Sequence, residues 1–353
     1  MKKILKGIML LSVGLMLTGC GNKNNDDSGV IETPVVNETQ FVDLSTDKVE
    51  LYNEAVKSVV RVEVSISSSS TNLGTGVVYK KEGGYAYILT NAHVLSDSNG
   101  NKYENIHVVF HDYSKAKGTY IGVDRERDIA VFSVKDTESC TVAKIVAKDT
   151  DVVIGESVFA IGNPQGEYFS MTDGIISNNR LKTSTTYISK NGSSEVHVYN
   201  STATINSGNS GGPLFNSKGE VVSINSMHPS SDSYRNFNYS IPINYFIKVA
   251  NSLVKNMQYK EATINIEVAS ICDYSVDQLT SMGVKVKSGV YITSSSESGL
   301  FTGRVITQLN GRYIATKADY LFELLKYNVG DTITLVTTDN VGANEKSVSV
   351  VLK

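Results

Sequence analysis

Short apolar runs separated by turn residues dominate the chain between residues 60 and 241. Runs of this length, bounded by turn signals such as Ser98-Asn99-Gly100 and Ser217-Lys218-Gly219, are typical of β-strands. Many short strands without a long helix between them predict an all-β sandwich or a pair of barrels. The predicted strands are residues 60–66, 76–79, 85–90, 106–110, 129–134, 157–162, 174–177, 195–200, 212–215, 220–225 and 239–241.

Helical spacing of apolar residues occurs at three places along the chain. It predicts a short helix over residues 49–59, before the first strand, and a longer amphipathic helix that follows Pro242. A third helix is predicted over residues 316–327, where Thr316 and Asp319 fit a Ser/Thr-x-x-acid N-terminal cap. This helix belongs to a second set of predicted strands at residues 264–268, 289–293, 305–309, 332–337 and 347–352.

A polar segment at residues 258–261 separates the two sets of strands. It predicts a larger β domain at 48–257 and a smaller α+β domain at 258–353, and a chain of 353 residues can bury a core in each. The 33 basic and 36 acidic residues give a formal charge of −3, which excludes the basic surface of a typical nucleic-acid-binding protein. The apolar content of 41% excludes wholesale disorder.

The N-terminal segment has the pattern of a secretory signal. Lys2, Lys3 and Lys6 precede an apolar run of about ten residues, which is shorter than the ~20 residues of a membrane-spanning helix. The run ends in the sequence LTGC at residues 17–20, which resembles the bacterial lipobox. That resemblance implies removal of residues 1–19 and acylation of Cys20, whereas the alternative is an ordinary signal peptide with a chance cysteine. Residues 20–47 are polar and are predicted to form a flexible tether.

Two further cysteines, Cys140 and Cys272, fall in different predicted domains. Two unpaired thiols and one interdomain disulfide are both compatible with the sequence, since the predicted compartment is oxidising. Neither cysteine has the Cys-x-x-Cys or Cys/His spacing of a metal site, and no metal or cofactor is expected.

Three short segments carry the residues of a nucleophilic hydrolase. TNAHV at 90–94 ends a predicted strand, DIAV at 128–131 begins one, and GNSGGPL at 208–214 precedes a hairpin. A serine hydroxyl becomes a good nucleophile only when an imidazole accepts its proton and a carboxylate holds that imidazole. The three segments supply one residue for each role, and their order along the chain is that of the chymotrypsin-type double barrel. The residues for base, acid and nucleophile are His93, Asp128 and Ser210.

The loop around the serine can also supply the hydrogen-bond donors that such chemistry needs. Its glycines permit a sharp turn, so that the loop of Gly208, Asn209 and Ser210 can direct backbone N–H groups at a tetrahedral oxyanion. Asp124 is an alternative acid, but only Asp128 directly precedes an apolar strand. The remaining histidines lack the setting of His93 and are best explained by packing or surface positions; they are His107, His111, His197 and His228.

The segment 208–212 also fits the Gly-x-Ser-x-Gly pattern of α/β-hydrolases. That fold requires a helix after the serine, followed by an acid and then a histidine. Here a predicted hairpin with a turn at residues 216–219 follows instead, and the only later histidine is His228. The sequence therefore argues against an esterase of that class.

Further motifs accompany these segments in order along the chain. They are GTGV at 74–77, YILTNAHV at 87–94, AIGNP at 160–164, ATINSGNSGGPL at 203–214 and NYSIP at 238–242. Together with DIAV at 128–131 they resemble the HtrA/Deg family of trypsin-like serine proteases over most of residues 48–255. The resemblance implies a chymotrypsin-like double β-barrel and a homotrimer or larger assembly. It also implies an extracytoplasmic endopeptidase, tethered to a bacterial membrane through Cys20, that cleaves misfolded or unfolded proteins.

The same resemblance implies the position of the primary substrate pocket. Thr204 would lie at its base, and Ile224, Asn225 and Ser226 would form its wall. None of these residues is acidic, so the expected preference is for small or medium aliphatic side chains rather than Arg or Lys. Thr202 departs from the family, whose members usually carry an acid at this position.

The family pairs its protease domain with peptide-binding PDZ domains, and SGVYI at 288–292 and GRVITQLNG at 303–311 resemble one. A PDZ domain adds a peptide strand to a sheet edge and holds the peptide's C-terminal carboxylate on backbone amides. The carboxylate loop would be residues 262–266, with Asn265 in place of the usual glycine and Arg304 in place of the usual acid. The expected groove residues are Ile264, Asn265, Ile266, Leu321 and Leu325.

The resulting hypothesis is a serine endopeptidase whose partners are unfolded proteins, C-terminal peptides and a membrane. The alternative is a chaperone or peptide-binding module that keeps the protease fold without its activity. The presence of His93, Asp128 and Ser210 together favours the enzyme, because a binding protein does not need all three.

Overall fold

Two closed six-stranded barrels form the larger part of the computed structural model, which confirms the predicted double-barrel class. The structure describes residues 44–67, 70–97, 99–148, 150–185, 194–227, 238–256 and 258–353. The predicted signal peptide, Cys20, most of the tether and His228 lie outside the described residues. Among the described residues, no helix is both long enough and apolar enough to cross a membrane.

The first barrel follows helix α1 (Leu44–Ala55) and contains six antiparallel strands. These are β1 (Val59–Ser67), β2 (Ser70–Glu82), β3 (Tyr85–Thr90), β4 (Glu104–Val109), β5 (Lys115–Asp124) and β6 (Ile129–Lys135). They close in the order β1-β2-β3-β6-β5-β4, and a short helix, α2 (Ala92–Leu95), follows β3.

Strand β6 shows why several strands appear as continuous apolar runs. Ala130 and Phe132 point into the core of the first barrel, whereas Ile129 and Val131 pack in the cluster that continues into the second barrel. Because successive side chains point to opposite faces, a strand with both faces buried loses the apolar–polar alternation. The second face therefore holds the two barrels together.

The second barrel closes in the order β10-β11-β12-β9-β8-β7. Its strands are β7 (Ser157–Gly162), β8 (Ser170–Thr185), β9 (Ser194–Ser201), β10 (Pro213–Asn216), β11 (Val221–Met227) and β12 (Asn238–Pro242). Helix α3 (Ile243–Asn256) follows directly and confirms the amphipathic helix predicted after Pro242. Its buried face, which includes Phe246 and Val249, packs in the cluster between the barrels.

The C-terminal part of the chain forms a separate sheet in the order β13-β14-β15-β17-β18, with β16 paired to β15. The elements are β13 (Ile266–Ser270), α4 (Val276–Ser281), β14 (Val290–Ser295), β15 (Val305–Leu309), β16 (Arg312–Tyr313), α5 (Lys317–Leu324), β17 (Thr332–Thr338) and β18 (Lys346–Val351). Helix α5 covers the sheet with Tyr320 and Leu324. Thr316 and Asp319 form the predicted reciprocal cap at its start.

Helix α5 also contacts the second barrel. The ring of Phe322 stacks on Tyr199 of β9 with 6.1 Å between the ring centroids, and Lys248 Nζ of α3 donates a hydrogen bond to the carbonyl oxygen of Leu325 at 2.9 Å. Residues Leu44–Lys353 accordingly form one compact unit. The predicted boundary near residue 258 is where the chain passes from α3 to the sheet.

Some elements differ from those expected. The first helix begins at Leu44 and passes at Val56 into a 3₁₀ turn, earlier than the predicted range of 49–59. Strand β5 was not predicted because its first inward positions, Ala116 and Gly118, carry little apolar surface. A Cβ on Gly118 would meet Ile106 and Phe132 of the barrel core, and a glycine at an inward position hides the alternation.

Cys140 and Cys272 are both free thiols, so the interdomain disulfide is not formed. Cys140 is buried as expected for an unpaired thiol, whereas Cys272 is exposed.

Replacement of Phe246 tests the packing between the barrels. Phe246→Ala removes a fully buried ring and is expected to cost about 3–5 kcal/mol of unfolding free energy. The midpoint of chemical denaturation measures this cost. Lys255→Ala, at an exposed position of the same helix, is the control, and equal midpoints for the two variants would contradict the packing described.

Candidate active site

The three predicted catalytic residues meet where the two barrels adjoin. His93 lies on α2 directly after β3, and Asp128 ends the turn between β5 and β6, both in the first barrel. Ser210 lies in the second barrel on the loop between β9 and β10. All three residues therefore lie in connections between strands rather than within a strand.

The imidazole of His93 is held by the carboxylate of Asp128. His93 Nδ1 lies 3.0 Å from both carboxylate oxygens, and the backbone N–H of His93 donates to Asp128 Oδ1 at 3.1 Å. Asp128 is only 1% exposed, and its carbonyl oxygen accepts a hydrogen bond from Asn91 Nδ2 at 2.9 Å. This arrangement places a proton on Nδ1 and leaves Nε2 to act as a base.

Ser226 connects the carboxylate to the serine. Its hydroxyl donates to Asp128 Oδ2 at 2.5 Å, and its carbonyl oxygen accepts a hydrogen bond from Ser210 Oγ at 3.2 Å. Sequence reasoning assigned Ser226 to the pocket wall and missed its contact with Asp128, since the two residues are 98 positions apart.

The same contacts set the protonation behaviour of His93. Burial lowers the pKa of its imidazole, but the negative charge of Asp128 and its hydrogen bond to Nδ1 raise it. The net result is a pKa above the usual value of 6.5. A raised pKa makes the imidazole a stronger base for the proton of a hydroxyl group.

Thr75 holds the loop that carries Ser210. Its backbone N–H donates to the carbonyl oxygen of Ser210 at 2.9 Å, and its hydroxyl donates to the carbonyl oxygen of Gly208 at 2.7 Å. The same hydroxyl accepts a hydrogen bond from Asn163 Nδ2 at 3.0 Å. Thr75 and Asn163 belong to the motifs GTGV and AIGNP, which marked these segments without revealing what the two side chains do.

Two backbone amides of this loop differ from the third in their hydrogen bonding. Within the described residues, the backbone N–H groups of Gly208 and Ser210 donate to no acceptor, whereas the N–H of Asn209 donates to the carbonyl oxygen of Asn206 at 2.9 Å. Gly208 has φ of 103°, a conformation that glycine adopts without strain. Of the three predicted loop residues, Gly208 and Ser210 therefore have amides available for an oxyanion.

The alternative acid, Asp124, has another partner, and two of the predicted pocket residues are buried. Asp124 pairs with Arg127 rather than with His93, at 2.9 Å. Ile224 is completely buried in the core of the second barrel, so its side chain cannot line an open pocket, and Asn225 is buried as well. Thr204 is exposed, and its position at the base of a substrate pocket stays a prediction.

A groove with a volume of about 500 Å³ lies between β13 and α5 in the C-terminal part of the chain. Ile264, Ile266 and Leu321 line it as predicted. Leu325 does not, because it follows the end of α5 and packs against the core of the second barrel instead. Asn265 turns its carbonyl oxygen towards the N–H of Ser296, at 3.1 Å.

Arg304 stands where the family usually has an acid, and its guanidinium makes hydrogen bonds within the C-terminal sheet. Arg304 Nε donates to the hydroxyl of Thr337 at 2.8 Å, and its Nη2 donates to the carbonyl oxygen of Asn344 at 2.6 Å. The arginine therefore ties the start of β15 to the hairpin between β17 and β18. Among the described residues, no group of three His, Cys, Asp or Glu side chains is arranged to hold a metal ion.

The protonation of His93 can be tested directly by an NMR titration of its imidazole in the full chain. We expect a midpoint above 6.5, and a lower midpoint in Asp128→Asn, because the amide keeps the shape of the carboxylate but not its charge. Asp136→Asn, just beyond the other end of β6, is the control for a distant charge. An unchanged midpoint in Asp128→Asn would refute the role of the carboxylate charge.

Known proteins share this architecture and these segments. Residues 74–224 match the family described as a trypsin-like peptidase domain. The serine protease Do-like HtrA of Bacillus subtilis (strain 168) is 31% identical over 314 residues, which cover 82% of this chain and 68% of that protein. The serine protease HtrA-like of Staphylococcus aureus (strain MRSA252) is 29% identical over 323 residues, and this chain spans 41% of its length.

A solved structure described as the HtrA-type protease AlgW with a tripeptide has the same fold, with a TM-score of 0.60 at 22% identity. The match covers 85% of this chain and 96% of that one. The serine endoprotease from Yersinia pestis matches with a TM-score of 0.52 at 25% identity, over 86% of this chain and 97% of that one. With its double barrel and its identity to the B. subtilis protein, this chain belongs to the HtrA family of serine proteases.

Proposed function

We propose that this protein is an endopeptidase that hydrolyses peptide bonds in misfolded or unfolded proteins, with Ser210 as nucleophile, His93 as general base and Asp128 as the orienting acid. The observation that carries the proposal is the continuous set of hydrogen bonds from His93 through Asp128 and Ser226 to Ser210. Acyl transfer from a peptide requires a base that can reach the nucleophile and a buried acid that orients the base, and these contacts gather the three residue types in one site.

The mechanism follows from these positions. His93 Nε2 accepts the proton of Ser210 Oγ as the oxygen attacks the peptide carbonyl, and the oxyanion accepts hydrogen bonds from the N–H groups of Gly208 and Ser210. The protonated imidazole, stabilised by Asp128, then donates its proton to the leaving amine, and an acyl-enzyme remains. Water, deprotonated by His93, hydrolyses that ester and regenerates the serine. Each oxyanion donor contributes a rate factor of about 10²–10³ in comparable sites.

Substrate preference is proposed from the uncharged character of the pocket. Thr204, which the family resemblance puts at the base of the pocket, is exposed, and its carbonyl oxygen accepts a hydrogen bond from the Thr172 hydroxyl at 2.8 Å. Neither Thr204 nor the buried residues Ile224 and Asn225 carry an acidic group that could pair with Arg or Lys. We therefore propose cleavage after small or medium aliphatic residues.

We also propose that the unit formed by residues 258–353 binds the C-terminal end of a peptide. The edge of β13 that does not pair with β14 faces the groove next to α5, where a further strand could add. The backbone N–H groups of Ile264 and Asn265 donate to no acceptor within the described part of the chain, which supports a carboxylate site there. The groove is lined mainly by apolar side chains, which suits an apolar peptide end.

Location and assembly complete the proposal. The lipobox-like sequence supports an extracytoplasmic enzyme that is anchored to a bacterial membrane through Cys20 and extended from it by residues 20–47. The family resemblance supports a homotrimer. Sedimentation of the full chain would test the trimer. Mass spectrometry of the peptide that contains Cys20 would test the lipid anchor separately.

The nucleophile can be identified with a fluorophosphonate probe and an unfolded protein such as casein. We expect the probe to label Ser210, and Ser210→Ala to abolish both labelling and cleavage while the fold is retained. Ser207→Ala, at an exposed position of the same loop, should retain both. No labelling of the unmodified chain, together with tight peptide binding, would refute the enzyme and support the alternative binding module.

Gly208→Ala tests the oxyanion loop. A Cβ at this position would lie 2.2 Å from the carbonyl oxygen of Asn163, so the turn must move and take its N–H with it. We expect kcat to fall by about 10²-fold or more. Gly219→Ala, at a turn with a similarly positive φ but with only Leu51 nearby, at 3.6 Å, is the control. Equal kcat values for the two variants would argue against this oxyanion site.

A further inference from the structure

Arg127, the residue before Asp128, lies at the centre of a network that joins three parts of the chain. Its Nη1 is 2.9 Å from Asp124 Oδ2 at the end of β5, and its Nη2 is 2.9 Å from Glu261 Oε2. Its Nε donates to the hydroxyl of Tyr245 on α3, also at 2.9 Å. Glu261 belongs to the segment between α3 and β13, so the network reaches from the catalytic turn to the chain that enters the C-terminal sheet.

The turn that carries Asp128 needs such support. Asp124 and Ile129 pair across the ends of β5 and β6, and the four residues between them form the turn. Asp128 has φ of 57°, a left-handed conformation that Asp adopts more readily than most residues with a Cβ but that remains uncommon outside Gly. Asp124 Oδ1 accepts the backbone N–H of Arg127 at 3.0 Å, so one carboxylate fixes both the main chain and the guanidinium just before Asp128.

The network is shielded from water, which makes its charges effective. The side chain of Arg127 is 16% exposed, and those of Asp124 and Glu261 are 9% and 34% exposed. The ring of Tyr259 covers the guanidinium at 5.0 Å. A charged group that is removed from water stabilises the fold only when its partners are held in place, and loss of one partner leaves the others uncompensated.

We infer that Arg127 is a positioning residue for Asp128, and that Glu261 anchors it from outside the two barrels. The anchored guanidinium holds the turn in the conformation that directs the Asp128 carboxylate at His93. The inference rests on the proposed function, in which Asp128 orients the general base. The segment between α3 and β13 then also contributes to the position of Asp128, because Glu261 belongs to this segment and to neither barrel.

Three variants that remove the interaction, one that partly restores it and one control test this arrangement in the full chain. Arg127→Gln removes the guanidinium, Glu261→Gln removes the anchor's charge but keeps its shape, and the third variant combines both changes. We expect kcat to fall about tenfold in Arg127→Gln and less in Glu261→Gln, with KM nearly unchanged, since a displaced acid weakens the chemistry rather than binding. The double variant should be no worse than Arg127→Gln alone, because both changes remove one interaction.

The control uses a second carboxylate near the same guanidinium. Glu126 Oε2 lies 3.5 Å from Arg127 Nη1, but its side chain is 74% exposed. An exposed pair of this kind contributes little, so Glu126→Gln should leave kcat unchanged. Arg127→Lys should recover part of the lost rate, because an ammonium can still pair with one of the buried carboxylates.

A purely structural role is distinguished by two measurements. Titration of active sites with the fluorophosphonate corrects kcat for any unfolded fraction. The acid limb of kcat/KM should also move to lower pH in Arg127→Gln, because a displaced Asp128 supports the protonated imidazole less. A corrected kcat and a pH midpoint equal to those of the unmodified chain would overturn the inference.

Failure of the proposed function would give a different result from failure of this inference. The unmodified chain would then not react with the fluorophosphonate at Ser210. The inference can still be judged in the Ser210→Ala background, where the His93 titration followed by NMR should move to lower pH when Arg127→Gln is added. An unmoved midpoint in that background would overturn the inference independently of activity.

Discussion

The buried carboxylate of Asp128 is the constraint on which the site depends. Removal of a carboxylate from water costs several kcal/mol unless hydrogen bonds and charge compensate it. Here the compensation comes from the backbone and imidazole of His93 and from the hydroxyl of Ser226. These donors belong to different barrels, so the carboxylate is satisfied only when the barrels pack as they do. Packing and catalysis are thus linked through one acid.

The barrels supply that geometry through the surface between them. Strand β6 begins directly after Asp128, and its alternate side chains enter the first barrel's core and the cluster shared with the second barrel. The acid is therefore attached to a strand whose two faces are both fixed by packing. On the other side, Thr75 of β2 holds the carbonyl oxygens of Gly208 and Ser210. The first barrel consequently positions the base, the acid and the loop of the nucleophile.

Local patterns in the sequence predicted a sandwich or a pair of barrels and the amphipathic helix α3, because period and turn chemistry are properties of neighbouring residues. The double barrel itself was predicted from the order of the segments around His93, Asp128 and Ser210 and from the family resemblance. The contact of Ser226 with Asp128 could not be predicted in this way, since it joins residues 98 positions apart. The error at Leu325 has a related cause, because apolar spacing at the end of α5 does not tell which of two neighbouring cores a side chain enters.

The burial of Arg127 is another feature that neighbouring residues in the sequence do not predict. Nothing in the charged sequence of residues 124–128 distinguishes a buried arginine from an exposed one, and exposed ion pairs contribute little. In the structure, Tyr245, Tyr259 and Glu261 cover the arginine from a part of the chain more than a hundred residues away. Burial raises the energetic weight of each of these charges, because the surrounding protein screens them less than water does. The turn that holds Asp128, the proposed catalytic acid, is therefore stabilised in part by Tyr259 and Glu261 of the segment between α3 and β13. On the inference made above, the two barrels do not contain the whole of what positions Asp128.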